Sequence, residues 1–314
     1  MLARILRIGI GLEVIAAVTL VTLLGAWLVP PLAVALILLF PLAVHGFPLA
    51  IEFVTGAIVD RRPVARLGPV ALLKVWLSET WRSFKVFNID QPWRAGFAEP
   101  EILRQPDRPA VLFIHGYMCN RATWRPWLLE CGLARRWNCA TVNLEPVFGA
   151  VDRYPELIQA AIERLRAASG AERVTLVCHS MGGLAARAYL RAYGPHAVAR
   201  VVTISTPHHG TLFARLGHGD NTRQMRRACD FVRQLASSDE PVEFVCFASH
   251  HDNMIVPRDG QVLDCAEAVW FERIGHLAMT DNDQVLAKLM EVVERPLPEV
   301  TATSNGAITV ATSG

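Results

Sequence analysis

Charge is scarce in this chain: Asp, Glu, Lys and Arg make up 19% of its 314 residues, the formal net charge is +2, and the cations form no stripe. Nucleic-acid binding, which needs a clustered basic face, is thereby set aside. The ten histidines lack an H-E-x-x-H or similar ligand spacing, so no metal site is read, and no organic cofactor is implied. Seven cysteines (Cys119, Cys131, Cys139, Cys178, Cys229, Cys246 and Cys265) are odd in number and scattered singly, which suits a reducing compartment better than a disulfide framework. No internal repeat is present.

Apolar residues are what the chain has in quantity. They reach 52%, and the mean hydropathy of +0.28 is high for a soluble enzyme. The excess is concentrated in residues 1–60. From Ile8 to Val29 the sole ionisable side chain is Glu13, and from Pro31 to Ile51 it is His45. Each run reaches the roughly 20 residues that a helix needs to cross a hydrocarbon core. A cleaved signal peptide is the alternative for the first run, but that run exceeds a usual apolar signal region and a second follows at once. A two-helix transmembrane hairpin over 1–60 is expected, with Glu13 and His45 pairing or snorkelling. Arg4 and Arg7 precede the hairpin, Arg61, Arg62 and Arg66 follow it, and the link at Val29, Pro30 and Pro31 carries no cation. Positive charge stays cytoplasmic, so the expected location is a bacterial-type inner membrane with the catalytic domain in the cytoplasm.

Residues 61–108 read as an amphipathic juxtamembrane helix followed by a linker. Leu73, Trp76, Leu77, Phe84 and Phe87 recur at helical spacing, and Lys74, Ser78, Arg82 and Lys85 take the other side. Lying in a membrane interface and packing on the catalytic domain are equally open to such a helix. The linker is read from Gln91 to Pro109, on four prolines. Strand and helix then alternate over 109–295, which argues an α/β domain with a mainly parallel sheet covered on both faces. Strands are expected at Ala110–Ile114, Ala140–Leu144, Val174–Cys178, Val201–Ser205, Phe244–Ser249 and Ala268–Ile274. A helix is expected at Glu156–Ala168, with Leu157, Ala160, Ala161 and Leu165 inward and Gly170 as its C-cap. Residues 296–314, rich in Thr, Ala, Ser and Gly, read as a disordered tail.

The sharpest chemical signal is Val174-Thr175-Leu176-Val177-Cys178-His179-Ser180-Met181-Gly182-Gly183-Leu184, a β-branched run, a small-residue turn around a serine, and a helix. Such a nucleophile elbow lifts a serine hydroxyl above the sheet edge. Cys178 stands where G-x-S-x-G has its first glycine. A capping Ser180 at an ordinary strand-to-helix turn is the competing reading. Upstream, strand Val111–Ile114 runs into His115-Gly116-Tyr117, so an oxyanion would be held by the backbone N–H groups of Met181 and Tyr117. Downstream, Asp252 follows one strand as the acid and His276 follows the next as the base, in the order serine, acid, histidine. Asp264 and Asp281 compete as acids, and His250 and His251 as bases.

With these elements in order, the chain resembles the α/β-hydrolase superfamily, and within it bacterial lipases and esterases. The likeness rests on His115-Gly116-Tyr117, on Cys178-His179-Ser180-Met181-Gly182-Gly183, on Thr206-Pro207-His208-His209-Gly210-Thr211, on the Asp252 to Pro257 turn and on Gly275-His276-Leu277, and covers roughly Pro109 to Glu294. It implies a serine hydrolase acting on a small-molecule or lipid acyl ester, with the Thr206 to Thr211 loop beside the pocket. An acyltransferase or thioesterase on the same site, or an inactive hydrolase fold serving as a membrane scaffold, are the alternatives. The Leu212–Leu235 segment is too short for a large cap domain and predicts a small lid or an open pocket.

Overall fold

The computed structural model describes residues 1–25, 29–97, 107–236 and 242–296, with the backbone alone at 300–302 and 308–310. Six strands form one sheet: β1 (Ala110–Ile114), β2 (Asn138–Val142), β3 (Val174–His179), β4 (Val198–Ile204), β5 (Glu243–Ser249) and β6 (Glu267–Phe271). Their order is β2-β1-β3-β4-β5-β6 and every pairing is parallel. β1, β2 and β3 are buried at every position, as strands covered on both faces must be. On one face Leu112, Ile114, Leu176 and Cys178 pack with helices Pro155–Ser169 and Met181–Tyr193. On the other, Phe113, Val177, Val202 and Phe247 pack with Trp124, Trp127 and helix Asp283–Glu294. Each such side chain contributes on the order of 1.5–3 kcal/mol by leaving water.

All six expected strands form, with ends shifted by up to three residues. The helix expected at Glu156–Ala168 spans Pro155–Ser169 and is capped by Gly170 in the left-handed region at φ 79°. Of its expected inward stripe, Ala161 and Leu165 are buried and Leu157 packs partly buried against the core, but Ala160 is exposed, and Ile158 and Ile162 are buried as well. The branched Ile side chains win the sheet-facing positions because they bury more area than Ala.

Two long helices precede the sheet: α1 (Leu2–Leu24) and α2 (Pro30–Val59). By length and composition both can cross a membrane, and most of their apolar side chains are exposed. Glu13 and His45 do not pair directly. Both reach Asn88, whose Nδ2 donates to Glu13 (3.1 Å) and whose Oδ1 meets His45 Nε2 (2.8 Å), while His45 Nδ1 meets Ser83 Oγ (2.9 Å). The half-buried polar groups of the two apolar helices thereby gain partners from the segment that follows them.

The third helix, α3 (Pro69–Phe84), runs through a π-helical stretch at Lys85–Asp90 into a short turn of helix at Gln91–Arg94. The buried face of this helix is neither of the two expected sides: it mixes Val75 with Glu79, Thr80, Arg82 and Ser83, while Lys74 and Ser78 of the expected polar side are exposed. Glu79, Arg82 and Ser83 are buried, and the apolar Leu73, Leu77 and Trp81 are more than half exposed. The linker therefore starts later than Gln91, since Gln91 is buried and its Oε1 accepts the Asn120 N–H at 2.6 Å. Residues 98–106 of that linker lie outside the described residues. Of the tail expected at 296–314, the description beyond Pro296 covers a short antiparallel ribbon, Val300–Ala302 with Ile308–Val310.

Candidate active site

In a parallel sheet all strands deliver their following loops to one edge, and ligands bind there, where strand order reverses. Here the reversal lies at β1 and β3, and the two loops that follow those strands carry Tyr117 and Ser180. Ser180 sits at φ 53°, ψ −124°, strained backbone of the order of 1–3 kcal/mol for a residue with a side chain. Its N–H donates to Ile204 O (2.8 Å), and its carbonyl accepts from Thr206 Oγ1 (2.9 Å). The strained turn is thus held from β4. Close approach explains the neighbouring glycines: a Cβ on Gly182 would meet Ile114 O at 2.6 Å, and one on Gly116 would meet Ser180 Cβ at 2.9 Å. The His115-Gly116-Tyr117 turn therefore packs directly on the elbow, with the Met181 N–H at a helix start where N–H groups lack intrahelical partners.

His115 itself ties loops together. Its Nε2 accepts the Leu144 N–H (3.0 Å), so Nδ1 carries the proton toward Gly116 O (2.9 Å), and burial pushes its pKa down to about 4. Tyr117 turns its hydroxyl away from the elbow, donating to His218 O (2.9 Å) and accepting from His218 N (3.2 Å). That contact joins the turn to the Leu212–Leu235 segment, which forms short helical turns rather than a cap domain. A polar cavity of about 350 Å³ lies there, lined by Phe148, His218, Arg223 and Arg226 among others.

Asp252 and His276 come together across the loops after β5 and β6. Asp252 Oδ2 accepts from His276 Nδ1 at 2.9 Å, and Asp252 Oδ1 accepts the N–H groups of Met254 (2.8 Å) and Ile255 (2.7 Å). An ionised carboxylate only accepts, so the proton stays on Nδ1 and Nε2 keeps its lone pair. Burial opposes charge on both groups. Mutual attraction outweighs it, together with the Ile255 N–H on Asp252 and the charges of Glu79 and Glu52 near the imidazole. Asp252 is thus held below, and His276 above, its ordinary value. No hydrogen bond joins Ser180 Oγ to His276 Nε2 among the described contacts; such pairs are often open before substrate tightens them. What brings both sides together is His179, whose ring lies 4.8 Å from that of His276 and whose Nε2 meets His276 O at 3.2 Å.

The competitors lie elsewhere. His251 Nδ1 accepts the Arg273 N–H (2.9 Å), and His250 stacks on Trp270. Asp264 is exposed, and Asp281 pairs with Arg82 (2.9 Å) and Lys85 (3.4 Å). The Thr206 to Thr211 loop cross-links the site: Thr206 holds the elbow, and Thr211 Oγ1 donates to Met254 O (2.5 Å) in the acid turn. Among the described residues no three His, Cys, Asp or Glu side chains form a group able to hold a metal ion.

Residue reasoning missed the supports contributed by the N-terminal helices. Glu79 Oε1 and Oε2 accept the N–H groups of Leu277 (2.7 Å) and Ala278 (2.9 Å). Glu52 accepts from Asn253 Nδ2 (2.6 Å), and Asn253 Oδ1 accepts the His276 N–H (3.0 Å). Arg258 donates from Nε to Asp252 O (2.8 Å) and from a terminal nitrogen to Gly56 O (3.2 Å), beside Asp60 at 3.5 Å. Glu79 looks like any charge on a polar helix face, and Glu52 like the interface charge that ends an apolar run, so no local signal marks either.

Comparison with known proteins agrees with this architecture. A triacylglycerol lipase of Pseudarthrobacter phenanthrenivorans is 48% identical over 59 residues, 19% of this chain and 18% of its own length. A triacylglycerol lipase of Burkholderia plantarii is 48% identical over 59 residues, 19% of this chain and 16% of its own length. The chain thus spans under a fifth of these relatives. Among solved structures, a Bacillus licheniformis lipase in its mature form superposes with a TM-score of 0.53 at 17% identity, covering 62% of this chain and 96% of that one. Aspergillus fumigatus lipase B gives 0.54 at 16% identity, covering 62% and 54%. At such identity the likeness is one of fold. The sequence model of the α/β hydrolase fold matches residues 109–267, half of the chain, and with the parallel sheet and its elbow this establishes that the protein belongs to the α/β hydrolase fold family.

Proposed function

We propose that the protein is a membrane-anchored serine hydrolase that cleaves carboxylic esters, lipid esters among them, through an acyl-enzyme on Ser180. The observation that carries this is the strained Ser180 elbow on the same loop edge as the buried Asp252–His276 pair. In the reaction, Ser180 Oγ attacks the ester carbonyl and passes its proton to His276 Nε2. The carbonyl oxygen becomes an oxyanion facing the N–H groups of Met181 and Tyr117. Collapse breaks the ester C–O bond, and the alcohol leaves with the proton held by His276. Water then attacks the acyl-enzyme, gives its proton to His276, and the acid departs as Ser180 recovers the proton. Asp252 orients the imidazole and balances its transient charge.

A fluorophosphonate probe applied to membranes holding the full chain tests the nucleophile. Ser180 is expected to carry the phosphonyl group; labelling at another residue, or none, would sink this assignment and favour an inactive scaffold.

Anchoring draws support from the exposed apolar faces of α1 and α2 and from the outward Leu73, Leu77 and Trp81 of α3. The ends of the hairpin meet the catalytic domain through Met1 to Glu145 and Gly56 to Arg258, and Arg7 meets Pro92 of the preceding segment. Such contacts favour a hairpin with both ends on one side, and the arginine distribution favours the cytoplasmic side. An alkaline-phosphatase fusion after Glu294 is expected to be inactive; an active, periplasmic fusion would replace the hairpin by a single anchor or a cleaved signal.

A further inference from the structure

His276 follows the edge strand β6, three strands away from β3 in the sheet. At about 4.8 Å per strand, its loop starts roughly 14 Å from the strand that carries Ser180 and must fold back over the sheet edge. Something has to hold it there. The backbone of that loop is gripped at three successive residues: His276 N–H by Asn253, and Leu277 and Ala278 N–H by Glu79. Glu79 is fully buried, and its carboxylate fills the space that a Gly275 side chain would need. Asn253 is itself fixed by Glu52 from within α2.

Resting on the Ser180–His276–Asp252 assignment, we propose that Glu79 is a positioning residue of the catalytic base, and that through Glu79 and Glu52 helices α3 and α2 hold His276 in its working place. The helices and the base are then one mechanical unit. Full burial raises the Glu79 pKa, and against it both carboxylate oxygens accept N–H groups, the arrangement that favours the ionised form. Its charge faces the imidazole along with Asp252 and Glu52, and the buried His179 ring packs beside that of His276. Glu79 thus contributes charge as well as geometry.

The full chain in detergent or membranes is assayed with a p-nitrophenyl ester. Glu79→Gln is expected to lower kcat by about a hundredfold with KM little changed, the scale of a misplaced catalytic group. The sign of the pH effect follows from the charge: removing a negative neighbour lowers the His276 pKa, so the acid limb of kcat/KM moves to lower pH. Glu79→Asp keeps the charge but cannot span both N–H groups; its kcat falls while its acid limb stays. Glu52→Leu, well suited to an apolar helix, leaves Asn253 unheld and lowers kcat, and it decides the matter where the Glu79 variants do not fold. Wild-type kcat and acid limb in the folded variants, with Ser180 still labelled by fluorophosphonate, would overturn the proposal. Failure of the wild-type chain to label at Ser180 would instead bring down the underlying triad, and the positioning role with it.

Discussion

Replacing Ser180 by Ala is expected to cut kcat on a p-nitrophenyl acyl ester by about a millionfold while leaving the protein folded. Removing the nucleophile of a comparable triad costs on the order of 10⁶ in kcat, and what remains comes from substrate binding and the oxyanion donors. The fold should survive because the elbow is held through the backbone: Ser180 N–H to Ile204 O, and Thr206 Oγ1 to Ser180 O. Neither bond uses the Ser180 hydroxyl. Alanine keeps the Cβ and so the same positive-φ strain, which leaves the thermal midpoint as a clean control. Hydrolysis at the wild-type rate by a folded Ser180→Ala chain would mean another nucleophile and would remove the central assignment.

Asp252→Asn has the second largest expected effect, a loss in kcat of about ten-thousandfold. The amide can still accept the Met254 and Ile255 N–H groups through Oδ1, so the turn keeps its shape. Its NH₂ then faces His276 Nδ1 where Oδ2 stood. A donor at that point makes Nδ1 an acceptor and moves the imidazole proton to Nε2, the atom that must receive the Ser180 proton. The two other acids serve as comparators with different fates. Asp264 is exposed, and its Asn variant should stay within about 0.5 kcal/mol of the parent and keep full turnover. Asp281 is the close partner of the buried Arg82, so Asp281→Asn should lower the unfolding midpoint but spare kcat. Silencing by either of these with turnover intact in Asp252→Asn would show the loop after β5 to be misassigned.

Much of this was legible along the chain because the signals are local. A β-branched run that breaks at Cys178-His179-Ser180 and continues as a helix writes the elbow into about ten residues, and strand periodicity carried the sheet's element order. On the inward face of Pro155–Ser169 Ala160 was misplaced, and Ile158 and Ile162 were overlooked, since Ala and Ile count alike in an apolar pattern but bury different areas. The face of α3 that meets the catalytic domain could not be read by hydropathy at all. Its buried face mixes Val75 with Glu79, Arg82 and Ser83, because a polar side chain can be buried where it finds a partner, as Glu79 does in the N–H groups of Leu277 and Ala278.

The sequence by itself determined the fold class, the place of Ser180 at the strand-to-helix turn, and the apolar character of residues 1–60. Those properties depend on neighbours within a turn or a strand. Which acid meets His276, where His250 and His251 point, and that Glu52, Asp60 and Glu79 brace the acid and base loops were decided by the tertiary structure. Such contacts span some 200 positions, as from Glu52 to Asn253 and from Glu79 to Leu277, and they depend on strand order and helix placement, which no local pattern of side chains encodes.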